Sequence, residues 1–130
     1  MGLKAAAGLM RGMVSGSVVL GGHSYGGRQA SMLAAEDSSV CDALLLLSYP
    51  LHPPNKPTQL RTAHFERLIT PSVFLHGTKD PFGSLDEMRA ALALIQAPHR
   101  LSIIEGAGHD LLRGRFDGAS LILKPLREFI

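Results

Sequence analysis

The chain has 130 residues, 45% hydrophobic and 18% charged, with 13 Lys plus Arg against 11 Asp plus Glu and a formal net charge of +2. That length fits one domain over residues 1–130, and the composition excludes a disordered tail. A lone cysteine, Cys41, excludes a disulfide framework and a multi-cysteine zinc site. The scattered basic residues leave no nucleic-acid footprint, and the longest uncharged apolar run, residues 43–51, is too short to span a bilayer.

Residues 3–13, rich in Ala, Leu and Met, read as a helix rather than a signal peptide, because Arg11 interrupts the apolar run and no clean cleavage site follows. Ser17–Leu20 is a short β-branched run ending at Gly21-Gly22 and reads as a strand. Arg28–Glu36 has helical spacing, with Ala30, Leu33 and Ala34 on one face. Asp42–Ser48 holds four consecutive leucines before Pro50, the pattern of a strand buried on both faces. Pro50, Pro53, Pro54 and Pro57 then impose an extended loop, with a short helix predicted over Thr58–Leu68. Ser72–His76 is a further strand. Ser84 with Glu87 forms a capping box that opens a helix over Leu85–Ile95. Arg100–Ile104 is the last predicted strand, and Asp117 caps a closing helix to Ile130 that Pro125 kinks or delays. Strands alternating with helices predict the α/β class, a parallel sheet with helices outside. Chemistry in such sheets sits at the carboxyl ends of the strands.

Gly22-His23-Ser24-Tyr25-Gly26 matches G-x-S-x-G between a strand and a helix, the setting of a nucleophile elbow. Gly22 and Gly26 let strand and helix approach. Ser24 stands at the helix N-terminus, where the Tyr25 amide and the helix dipole can stabilise an oxyanion. The competing reading is a glycine turn with Ser24 as a mere N-cap. A serine nucleophile needs a base and the base an orienting acid. His109 follows the last strand on the loop Gly106-Ala107-Gly108, and Asp80 follows the strand before it. Asp110 and Glu105 are the rival acids. His23 either lines the pocket or fills the turn. His76 reads as a core histidine, while His52, His64 and His99 lie in loop or surface contexts. No pair has zinc-ligand spacing, so neither metal nor other cofactor is expected.

The combination resembles the C-terminal part of an α/β-hydrolase, in particular the dienelactone-hydrolase-like branch that includes the testis-expressed hydrolase-like proteins. Residues 21–28, Ser48-Tyr49-Pro50-Leu51-His52-Pro53-Pro54, Lys56-Pro57 with Leu60-Arg61-Thr62, residues 76–83 and Gly108-His109-Asp110 carry it. The resemblance implies a truncated α/β-hydrolase fold, a parallel four-stranded sheet in the order 1-2-3-4. It implies Ser24 as nucleophile, His109 as base, Asp80 as its orienter and the Tyr25 amide in the oxyanion hole. A complete member has further strands ahead of the first helix here, and with them the loop that supplies the second oxyanion amide.

The expected function is a cytoplasmic serine hydrolase of the carboxylesterase type, acting on small accessible esters or thioesters. The alternative is a non-catalytic truncated fold serving in association. A nucleophile strand without its usual neighbour leaves Val18, Val19 and Leu20 on a bare edge, which predicts a homodimer joined there.

Overall fold

In the computed structural model, residues 9–14, 16–111 and 118–129 are described. The element order is β1 (Leu9–Val14), β2 (Ser17–His23), α1 (Tyr25–Glu36), β3 (Ala43–Leu47), β4 (Ser72–Gly77), α2 (Leu85–Leu92), β5 (His99–Ile104) and α3 (Gly118–Phe129), with single 3-10 turns at Ser38–Val40 and Phe65–Arg67. The strands form one sheet in the order β1-β2-β3-β4-β5. The pairings from β2 to β5 are parallel, in the order the resemblance implies.

The run of leucines explains the layers. In β3, successive side chains alternate between faces. Leu44 and Leu46 join Leu20, Phe74, Ala30 and Ala34 on the α1 side. Ala43, Leu45 and Leu47 join Val73, Leu75 and Leu126 on the α3 side. Every residue of β3 and β4 is buried, as a parallel sheet covered on both faces requires.

The first expectation to fail is the N-terminal helix. Leu9–Val14 is a strand, antiparallel to β2 over its whole length from Leu9↔Gly22 to Val14↔Ser17. Gly16, just before β2, has φ 85°, a conformation that favours glycine. Residues 3–8 of the predicted helix lie outside the described residues. The bare nucleophile-strand edge disappears with it. β1 takes the ladder hydrogen bonds on that side of β2, so the dimer predicted through β2 loses its site, and the outer edge there is β1. Among the described residues the sheet has five strands, not four.

A helix over Thr58–Leu68 does not form either. Only Phe65–Arg67 is helical, as a 3-10 turn. The stretch from Tyr49 to Leu68 is instead an irregular strap held by its side chains. Tyr49 Oη–H donates to the Arg61 carbonyl (2.8 Å) and Arg61 N–H to the Leu51 carbonyl (2.8 Å). Leu51, Phe65 and Leu68 are fully buried beneath it. The Ser84–Glu87 capping box is present. The Asp117 cap lies outside the described residues. Helix α3 runs through Pro125.

His52 and His64, expected in loop or surface contexts, are both buried. Ser31 Oγ–H donates to the Arg28 carbonyl (2.8 Å), so the His64 Nε2–H donates to Ser31 Oγ (2.7 Å), which ties the strap to α1. Burial, then the charges of Arg28 and Arg67, push the His64 pKa down from 6.5 to about 4. Between those values the unfolded chain binds a proton that the folded chain refuses. Stability therefore falls as pH drops below about 6.5, by about 2 to 3 kcal/mol at pH 4.5. Thermal melts at pH 7 and pH 4.5 should show this loss. His64→Gln, which keeps a donor for Ser31 but does not titrate, should shrink the gap between the two melts. An equal gap in both proteins would contradict the assignment.

Candidate active site

The parallel register brings the ends of β2, β3, β4 and β5 to one edge of the sheet, with His23↔Leu47, Leu47↔Leu75 and Gly77↔Ile104 in line. Ser24 leaves β2 there with φ 56° and ψ −123°, a left-handed conformation that costs energy in any residue with a Cβ. Two backbone bonds hold it: Ser24 N–H to the Leu47 carbonyl (2.8 Å) and Arg28 N–H to the Ser24 carbonyl (3.1 Å). The turn closes tightly because of Gly27, where a Cβ would stand 2.8 Å from the Gly22 carbonyl oxygen. Gly27 therefore belongs with Gly22 and Gly26 as an elbow glycine. The doubled glycine after Tyr25 was its signal in the sequence.

The Ser24 Oγ–H donates to His109 Nε2 at 2.7 Å. The His109 Nδ1–H donates to both Asp80 oxygens, at 3.1 and 3.0 Å. Asp80 is 5% exposed, whereas Ser24 and His109 are half-buried. Asp80 is thus the carboxylate on the histidine, in place of Asp110 or Glu105. Its charge is satisfied elsewhere as well, because Phe82 N–H donates to Oδ1 (2.8 Å). Tyr25 opens α1, so its N–H has no acceptor within the helix and is positioned beside the serine.

The acid and base loops are tied to each other. Thr78 N–H donates to the Ile104 carbonyl (3.2 Å), Lys79 N–H to the Ala107 carbonyl (2.9 Å) and Gly106 N–H to Thr78 Oγ1 (2.8 Å). His23 does more than fill the turn: its Nε2–H donates to the His109 main-chain carbonyl at 2.7 Å. Phe82, to which sequence reasoning assigned no role of its own, stacks on the His109 ring with centroids 4.0 Å apart and planes 22° apart. His76 is fully buried and donates from Nε2 to the Gly83 carbonyl (2.6 Å), the core role expected of it. His99 is exposed. Cys41 is buried, and burial raises its thiol pKa above the usual value.

Among the described residues no three His, Cys, Asp or Glu side chains cluster to hold a metal, and no helix is long and apolar enough to cross a membrane. An apolar groove of about 220 Å³ lies between Met10, Met13, Val19, Leu45 and Leu126, and none of Ser24, Asp80 and His109 lines it.

Residues 4–123 match the model of a family described as an alpha/beta hydrolase domain. The chain belongs to that family. Solved structures agree on the fold of this alpha/beta hydrolase. An alpha-beta serine hydrolase homologue from Coxiella burnetii superposes with a TM-score of 0.67 at 18% identity, over 83% of this chain and 48% of that one. A dienelactone hydrolase from Anabaena variabilis gives 0.62 at 23% identity, over 84% and 46%. The esterase domain of a Rhodothermus marinus protein gives 0.63 at 19%, over 83% and 57%. The chain spans about half the length of these structures.

Proposed function

We propose that this alpha/beta hydrolase is a serine esterase that cleaves small, accessible esters or thioesters through an acyl-enzyme. The observation that carries the reading is the 2.7 Å contact between Ser24 Oγ and a His109 ring whose far nitrogen is held by a buried carboxylate. As Ser24 Oγ attacks the acyl carbon, its proton passes to His109 Nε2. Asp80 holds the ring in the reactive tautomer and stabilises the imidazolium that forms. The Tyr25 N–H and the positive end of α1 face the developing oxyanion. His109 then returns the proton to the departing alcohol or thiol; in the second half a water gives its proton to His109 as it attacks the acyl-Ser24 ester, and His109 passes that proton to Ser24 Oγ as the acid leaves.

The strap packs Tyr49, Leu51, Phe65 and Leu68 into the core, and short acyl groups are the substrates expected. The test is hydrolysis of p-nitrophenyl acetate and longer homologues, with the rate falling as the acyl chain lengthens. His109 acts as base only when neutral, so kcat/KM is expected to fall as acidification protonates the imidazole. A flat profile with the protein still folded would contradict His109 as base.

One observation favours a second reading, association without catalysis. The outermost strand, β1, presents Met10 and Met13 at 58% and 69% exposure, an apolar edge suited to pairing with a second copy. A folded, oligomeric and esterase-inactive protein would carry that reading over the first.

A further inference from the structure

We propose that Phe82 is a positioning residue for His109, holding the imidazole face so that its nitrogens stay in line between Ser24 and Asp80. The inference rests on His109 being the base proposed above. The bonds that tie the Gly106-Ala107-Gly108 loop and the His109 carbonyl hold the backbone but do not reach the imidazole. The hydrogen bonds to Ser24 and Asp80 act in the plane of the ring and resist tilting out of that plane only weakly. The face contact at 4.0 Å and 22° supplies the missing restraint.

Phe82 is well placed for this because its backbone is fixed at both ends of the peptide unit. Its N–H donates to Asp80 Oδ1 (2.8 Å), and its carbonyl accepts from the His52 N–H (3.0 Å). His52 is anchored in turn, Nδ1 to the Pro53 carbonyl (2.8 Å) and Nε2 to Glu87 (2.9 Å), the same Glu87 that closes the capping box of α2. One residue thus joins the acid by its amide, the base by its ring and the strap by its carbonyl.

The stacking has a chemical consequence besides orientation. The π-face of a phenyl ring is negative and attracts a cation. His109 becomes cationic as Ser24 attacks, so the contact strengthens on the way to the transition state. Among the described residues, the titratable groups facing His109 are Asp80 from the loop after β4 and His23 from β2, its ring centroid 5.3 Å away, with His76 behind Asp80 at 3.9 Å. None of these belongs to Phe82, so a change of its ring alone isolates the stacking.

The experiment compares the intact chain with F82L and F82Y. The first removes the aromatic face and keeps the backbone amide and carbonyl; the second keeps all three. Two readouts are needed: kcat and KM on p-nitrophenyl acetate, and the titration midpoint of the His109 imidazole by nitrogen-15 NMR, assigned with H109Q. F82L is expected to lose on the order of ten- to a hundredfold in kcat with KM changed less than about threefold, the signature of a misplaced base. Its His109 midpoint should move to lower pH, and the acidic limb of the rate profile should follow. F82Y should restore both to near the native values. A native kcat and midpoint in F82L would overturn the proposal. So would equal losses in F82L and F82Y when both melt like the parent chain. If the unaltered protein hydrolyses no ester, the esterase reading fails by itself and the NMR midpoint decides Phe82: lowered in F82L supports the role, unchanged refutes it.

Discussion

Ser24→Ala is expected to lower kcat for ester hydrolysis by on the order of 10⁴-fold or more, with the fold unchanged. The alanine removes the attacking oxygen and nothing that holds the elbow, since the Ser24 side chain makes no capping bond and the backbone bonds to Leu47 and from Arg28 remain. It also leaves His109 bonded to Asp80. The residual rate comes from the Tyr25 amide and from binding alone. His109→Ala should cost a similar amount, and the double variant little more than either single one, because serine and histidine act as a unit. Additive losses would mean that the two side chains contribute independently. The measurement is kcat on p-nitrophenyl acetate for the three variants, with circular dichroism to confirm that each is folded.

Gly77→Ala should destabilise the protein by about 3 kcal/mol or more and abolish activity together with stability. Gly77 closes β4 under the loop that carries His109. A Cβ there would lie 2.6 Å from the Ala107 carbonyl carbon and 2.9 Å from the Gly108 oxygen, and nearer still to the Ala107 oxygen. All three are backbone atoms, so no side chain can swing aside. The strand end or the loop has to move, and Lys79 N–H to the Ala107 carbonyl (2.9 Å) and the Gly77–Ile104 pairing lie in the path. Asp80 and His109 would separate. Urea melts and the esterase assay test this, with Gly12→Ala as the comparison, since a Cβ at Gly12 meets nothing within 4 Å. Similar melts for the two variants would refute the close approach.

Much of the arrangement was legible in the sequence, for identifiable physical reasons. The leucine run of β3 called for burial on two faces and the alternation of strands and helices for a parallel sheet, whose strand order came with the family resemblance. G-x-S-x-G between a β-branched run and a helical pattern picked out the elbow. The loops after the two later strands offered His109 and Asp80, which the structure places within hydrogen-bond reach of each other and of Ser24. The rest was hidden for equally definite reasons. Leu9–Val14 carries Leu, Met and Arg, good helix formers, yet its pairing with β2 overrides that preference. Gly16, which takes φ 85° before β2, was the signal that outweighed it. The strap was misread because its buried histidines, His52 and His64, are polar residues whose partners, Glu87 and Ser31, lie 35 and 33 positions away. Phe82 was invisible for the same reason, since a ring's stacking partner leaves no mark in the local pattern.

The central claim is that Ser24 is a nucleophile activated by His109. The most direct measurement is covalent labelling of the intact protein with a fluorophosphonate, followed by mass-spectrometric mapping of the modified peptide. The account predicts one adduct, on Ser24, formed more slowly as the pH is lowered and absent from Ser24→Ala and His109→Ala. A folded protein that takes no label at saturating probe, or that takes it at another residue, would contradict it.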